Sequence, residues 1–360
     1  MWNKTKFTDL LNIQYPIVQG PFGGGLSAVE LTSVVSNAGA LGSFGGQPYM
    51  ATEIVDYARE IRKRTDKPFN INLWVKDRDD QLADYTHSDY ERLVNLFRPY
   101  FEELRIDVPE WPTDLGPKFE AQVEAIYEVK PAVFSFVYGI PTEEVLEKCR
   151  SFGTKTVGAA TNVEEAMALE RAGVDAIVAT GFEAGGHRVS FLRKAEDSLI
   201  GTFALIPQVV DSVKIPVIAA GGIADARGVK AALSLGADAV QMGTAFLATQ
   251  QSNASPDHKE ILFSDKARQT TLTKVFTGRL SRGIKNRLTE ELKGKENFLA
   301  PYPLQGKFMG AMKAYPATAN SNLDFKSYWA GQSAALLTYR DAEELIKKIV
   351  EEMGRWCVPS

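Results

Sequence analysis

The sequence is poor in cysteine, with only Cys149 and Cys357 in 360 residues and no CxxC pair. That argues against a disulfide scaffold or a cysteine-based zinc site and suits a reducing compartment; no metal is expected. No apolar run approaches the roughly 18 residues of a membrane span. Residues 1–7 lead straight into polar sequence without an apolar signal-like core, so the expected location is cytoplasmic. Charge is nearly balanced, 41 basic against 45 acidic residues, and a net −4 offers no field to attract nucleic acid or an anionic membrane. Missing too are a GxGxxG opening a helix after the first strand, a GxxxxGK[ST] loop, an HExxH pair and any defensible Ser-His-Asp arrangement.

What the chain does have is alternation. Short apolar runs at 14–20, 40–44, 68–74, 132–137, 155–160, 176–180, 216–220 and 239–242 are separated by segments with helical apolar spacing, such as 163–172 and 226–235. Ser27, Thr142, Asn162 and Asp225 are candidate helix caps. Strands apolar on both faces, each followed by a helix, form a parallel sheet covered by helices. Eight such units within 1–250 predict an α/β TIM barrel, a closed (β/α)8. Residues 76–130 are too long for one crossover and are rich in aromatic and charged side chains, predicting a helical insertion over the active-site face. Residues 251–360 are expected to be a mainly helical C-terminal extension packed on the barrel, with Gly/Pro breaks and a lid-like loop around 301–316.

Glycine clusters follow several strands. Ala219-Ala220-Gly221-Gly222-Ile223 and Val240-Gln241-Met242-Gly243-Thr244 each end a buried strand where bare backbone amides can meet a phosphate. Such loops after strands 7 and 8 are the usual barrel phosphate site. After strand 6, Glu183-Ala184-Gly185-Gly186-His187 leaves room for a flat ligand and holds an imidazole at the open face, suited to proton abstraction near neutral pH. The other two histidines, His87 and His258, lie in polar stretches and read as surface residues. Gln19-Gly20-Pro21-Phe22-Gly23-Gly24-Gly25 permits close approach to a ring system. Asn70 and Asn72 share one face of strand 3 by period 2; Asn72 is the better ligand candidate and Asn70 the structural one.

These stretches, together with Gln14-Tyr15-Pro16-Ile17-Val18, Ser36-Asn37-Ala38-Gly39-Ala40-Leu41-Gly42 and Lys67-Pro68-Phe69-Asn70-Ile71-Asn72, resemble the nitronate monooxygenase (2-nitropropane dioxygenase) family, related to the flavin-dependent enoyl-acyl-carrier-protein reductases. The resemblance implies a metal-free barrel that binds FMN. By motif position it implies flavin contacts from Pro21, Phe22, Asn72, Thr180, Gly185 and Gly186. Further contacts are implied from Gly221, Gly222, Gln241, Met242, Gly243 and Thr244, with His187 as the proton-abstracting residue. The chain departs from the pattern at Gly20-Pro21-Phe22, where many members have Ala-Pro-Met. It also has Val137 for a strand-4 histidine and Thr180 for a flavin-binding glutamine. Gly306 and Gly310 stand at the nearest positions to a tyrosine and a lysine of the monooxygenases.

The activity implied is oxidation of an alkyl nitronate, or of a nitroalkane deprotonated by His187, with dioxygen completing conversion to a carbonyl compound and nitrite. The alternative is NAD(P)H-dependent reduction of an enoyl thioester or quinone, and a non-enzymatic FMN-binding protein is the third reading. The expected partners are a small-molecule substrate, dioxygen and a second copy in a homodimer.

Overall fold

The computed structural model of the chain describes residues 1–315 and 325–356. Eight parallel strands form one sheet: β1 (Ile17–Gln19), β2 (Gly42–Gly45), β3 (Phe69–Trp74), β4 (Val133–Val137), β5 (Lys155–Ala160), β6 (Ala176–Thr180), β7 (Val217–Ala220) and β8 (Ala239–Met242). Each strand pairs with the next in sequence from β2 through β8, and β8 returns to β1 with Ile17 opposite Val240. The last seam, β1 to β2, is narrow: a bridge at Val18–Leu41 in which the Gln19 amide donates to Leu41 at 2.9 Å. The Gln19 side chain then continues the ladder. Its amide donates to the Ser43 carbonyl (2.8 Å) and its oxygen accepts from the Ser43 N–H (3.0 Å), all fully buried. The barrel is closed, as the strand spacing predicts.

All eight predicted strands are present, several shortened at the N-terminal end, because both faces of each carry apolar side chains. Asn162 and Asp225 accept from backbone N–H groups of the helices they open. Thr142 sits at a helix start without a side-chain cap bond. Ser27 is a different case: helix Val29–Asn37 begins after Ala28 with no side-chain cap. The Ser27 hydroxyl instead accepts from Phe22 N–H (3.1 Å) and Gly45 N–H (2.9 Å), which pins the loop after β1 to the end of β2.

β8 is followed only by the four-residue helix Thr244–Leu247. The cover for this side of the barrel comes from helix Ala342–Trp356, which packs between helices Val29–Asn37 and Ala226–Ser234. Its Leu345, Ile346, Ile349 and Met353 join the main core.

The segment between β3 and β4 divides in two. Helix Phe119–Val129 is an ordinary barrel helix, since Phe119, Val123, Ile126 and Val129 face the main core at i, i+4, i+7 and i+10. Only the preceding part leaves the barrel. There helix His87–Leu104 buries Leu93, Phe97 and Phe101 against Leu288, Leu304 and Phe308 of the extension, making a second core. The extension is largely helical, but it also carries an antiparallel pair, Thr270–Thr273 with Ser281–Ile284. This pair adds Gly186–His187 as a third strand. Cys149 is buried and unpaired; Cys357 and residue 316 lie outside the described residues. Among the described residues no helix is long and apolar enough to cross a membrane.

Replacing Gln19 by methionine keeps its volume but leaves the buried Ser43 N–H without its partner and the Ser43 C=O with only the Thr32 hydroxyl at 3.2 Å. The expected cost is about 2–3 kcal/mol, read as a lower denaturant midpoint with an unchanged m-value.

Candidate active site

A cavity of about 400 Å³ opens at the C-terminal ends of the strands, within the range of cofactor pockets. Its floor is apolar, made by Val137, Ala159, Val178 and Ala220 at the ends of β4 to β7. Its rim combines the loops after β1, β6, β7 and β8, the insertion at Leu115-Gly116-Pro117, and the extension at Thr277, Tyr302 and Trp329.

Of the predicted site residues, Pro21, Phe22, Asn72, Thr180, Gly185, Gly186, His187, Gly221, Gly222, Gln241, Gly243 and Thr244 all line this cavity. Met242 does not. Side chains alternate along β8, so Gln241 faces the cavity while Met242 is fully buried in the outer core. Asn72 donates to Ser135 Oγ at 2.9 Å, which aims its amide. Asn70, deeper, exchanges bonds with Ser135 and Ser43 and is structural.

The two glycines before His187 have separate uses. A Cβ on Gly185 would strike the Ala330–Gly331 backbone at 2.6 Å, whereas one on Gly186 (φ +77°) would meet nothing within 4 Å. Gly185 thus permits chain-on-chain packing and Gly186 leaves space in the cavity. Beneath this loop the guanidinium of Arg188, 1% exposed, donates to the Gly181 (2.7 Å) and Thr180 (3.0 Å) carbonyls, anchoring the end of β6.

His187 stands between two indoles, Trp74 with ring centres 5.0 Å away and Trp329 at 5.4 Å. Its Nε2 lies 2.9 Å from Thr277 Oγ1. Burial, then the positive charges of Arg279 and Lys313, lower its pKa from 6.5 to about 3, so the imidazole is neutral at physiological pH. Arg279 is wedged between Tyr138 and Tyr302, 4.1 Å from each ring centre, and ion-paired to Asp79 of the insertion at 2.8 Å. Tyr302 Oη accepts from Gln47 at 2.6 Å.

His87 is exposed, as expected. His258 is a correction: it is 3% exposed, with Nε2 against the Trp329 carbonyl at 3.0 Å. Burial lowers its pKa to about 4. Its polar neighbours in sequence concealed that helix Pro256–Leu262 turns this side chain inward together with Ile261 and Leu262.

The nitronate monooxygenase family model matches residues 4–352. The chain belongs to the nitronate monooxygenase family. A probable nitronate monooxygenase of Staphylococcus aureus is 38% identical over 99% of both chains. Among solved structures, the nitroalkane oxidase of Streptomyces ansochromogenes superposes with a TM-score of 0.87 at 32% identity, covering 98% of each chain. FabK of Thermotoga maritima gives 0.75 at 30%, covering 98% of this chain and 97% of that one. Membership makes this chain a flavin-dependent oxidoreductase and supports oxidation of nitronates.

The residues present suit a flavin carrying a phosphate. The backbone amides of Gly222 and Gly243 have no partner among the described residues, and a Cβ on Gly243 would enter open space. The Gln241 amide, the Thr180 hydroxyl and Asn72 Oδ1 also face the cavity without a protein partner there. In this nitronate monooxygenase family member several cavity residues escaped the sequence reading. Trp74 was signalled, because the period that pairs Asn70 with Asn72 continues to it. Thr277, Gln47 and Lys313 carry no local signal, since only the fold brings them to the rim.

His187, half-buried on the cavity wall, and the buried His258 are neutral in the folded chain but take a proton near 6.5 when unfolded. Stability is therefore complete above that pH and falls as pH drops toward 4. Urea unfolding at pH 7 and pH 5 is expected to differ by about 4 kcal/mol, roughly 2 from each histidine, and the difference should shrink in His187→Asn/His258→Gln.

Proposed function

We propose that the chain binds FMN, with its phosphate on the Gly222 and Gly243 amides, and oxidises alkyl nitronates with dioxygen to a carbonyl compound and nitrite. The observation that carries this reading is the neutral His187 imidazole on the cavity wall, flanked by Trp74 and Trp329 and facing two cations. When bound, FMN would supply the redox chemistry, as electron acceptor for the substrate and donor to dioxygen.

The chain's own residues do the rest. Thr180, Asn72 and Gln241 offer hydrogen-bonding groups for the polar edge of the isoalloxazine. Pro21, Phe22, Gly185, Gly186, Gly221 and Thr244 shape its slot. The apolar floor and the insertion keep water out, which strengthens every charge inside. A nitronate arrives already anionic, so the nearby cations favour it and His187 need not take a proton for it to bind. A neutral nitroalkane demands more: His187 must accept the α-proton beside Arg279 and Lys313, and its basicity rises only as the anion forms next to it. Pre-formed nitronates are therefore the better substrates.

NAD(P)H-dependent reduction of an enoyl thioester or quinone is the second reading, kept because of the likeness to FabK, which is weaker than that to the nitroalkane oxidase.

Nitrite release from 2-propyl nitronate should exceed that from 2-nitropropane. His187→Asn should lower kcat/KM for the nitroalkane by about 10²–10⁴ and for the nitronate by much less. Absence of nitrite from both substrates, or an unchanged nitroalkane rate in His187→Asn, would contradict the proposal. Gly243→Val places its side chain in open cavity space. It should leave the melting temperature of the flavin-free protein nearly unchanged while weakening FMN binding at least about tenfold, or ~1.4 kcal/mol, by fluorescence titration.

A further inference from the structure

His187 Nε2 and Thr277 Oγ1 meet at 2.9 Å, and one proton lies between them. A third group decides which atom carries it. The Thr277 hydroxyl donates to the Arg279 carbonyl at 3.3 Å, and that carbonyl has no other partner among the described residues. A hydroxyl has one proton to give. With that proton committed to Arg279, Oγ1 accepts from His187, so Nε2 is the protonated nitrogen of the neutral ring. The opposite tautomer costs two hydrogen bonds. It creates an Nδ1–H for which no described residue supplies an acceptor, and it takes the hydroxyl away from the carbonyl of a buried residue.

Both partners of the imidazole are held from outside the cavity. Thr277 lies in the hairpin turn just after Val275 and Phe276, which are buried in the second core. Gly278 follows at φ +85°, where a Cβ would strike the Ala300 carbonyl at 2.4 Å. The Arg279 guanidinium donates to Asp79 and to the Lys76 carbonyl, each at 2.8 Å, between the two tyrosine rings.

We propose that Thr277 is a positioning residue: it holds the His187 proton on Nε2 and thereby keeps Nδ1 bare as the atom that takes the α-proton of a nitroalkane. The assignment rests on the nitroalkane-deprotonation reading above. In that step the α C–H bond breaks and the proton passes to Nδ1. The electron pair left on carbon moves into the nitro group, giving the nitronate. The imidazolium so formed carries two N–H groups, and the one on Nε2 already has its acceptor. A hydrogen bond to the charged form favours it, and the chain onward to the Arg279 carbonyl polarises Oγ1 toward the ring. A pre-formed nitronate skips this step and depends on Thr277 much less.

The test uses FMN-loaded protein and the isosteric variant Thr277→Val. Its kcat/KM for 2-nitropropane should fall at least about tenfold, by a clearly larger factor than for 2-propyl nitronate, and Thr277→Ser should recover most of the loss. Long-range proton–nitrogen correlation spectra of protein labelled at its three histidines read the tautomer without turnover. The neutral His187 ring, assigned with His187→Asn, should show its proton on Nε2, and the Nε2 resonance should move in Thr277→Val but not in Thr277→Ser. A proton on Nδ1 in wild type, equal losses on both substrates, no loss in Thr277→Val, or no recovery in Thr277→Ser would overturn the assignment. If Thr277→Val does not fold, the wild-type spectrum and Thr277→Ser decide. If wild type turns over neither substrate, the nitronate reading fails, and the ring spectra alone then decide whether Thr277 sets the tautomer.

Discussion

The cavity depends on one short stretch of main-chain pairing, Gly186–His187 against Ser281–Arg282. Through it the loop after β6 becomes an edge of the extension's hairpin, and His187 belongs to the barrel and the extension together. The hairpin turn then delivers Thr277 to the imidazole and Arg279 to the space behind it. Arg279 in turn fixes the insertion through Asp79, whose other oxygen accepts from the Tyr302 amide at 3.1 Å. Without this ladder the three parts that enclose the cavity would have no common reference.

The second organising constraint is electrostatic. The barrel floor is apolar, and the cations around His187 leave it little affinity for a proton. A pocket of this kind is poor at making charge from neutral substrates and good at receiving charge that arrives with them. Arg279 has its own counter-ion and acts from behind as a fixed field. Lys313 has none among the described residues and lines the same cavity. The two indoles beside His187 add flat surface that limits its rotation without supplying a proton acceptor.

Much of this was legible in the sequence. The eight strands showed themselves because their apolar runs are short, punctuated by glycine and spaced by helical segments. The glycine loops at Gly222 and Gly243 were legible because a buried strand ending in glycine has few other uses. Local patterning misled where tertiary contacts decide. Ser27 looks like a cap but ties two strand ends together, and His258 sits in polar sequence yet packs against Tyr328 and bonds the Trp329 carbonyl. Met242 shares its motif with Gln241 but alternates to the other face. The end of the insertion was hidden as well, since helix Phe119–Val129 differs from its neighbours only in which core receives it. Pairings between residues 90 or more apart, such as His187 with Thr277, leave no trace in one sequence.

The central claim is that this cavity passes electrons from a nitronate to a bound flavin. Anaerobic mixing of the FMN-loaded protein with propionate 3-nitronate in a stopped-flow spectrometer tests it directly, with NADH and NADPH as parallel donors. Rapid loss of the oxidised-flavin absorbance with the nitronate, and slow or no loss with either nicotinamide, is the result predicted. Rapid bleaching by NADH or NADPH with no response to the nitronate would contradict it.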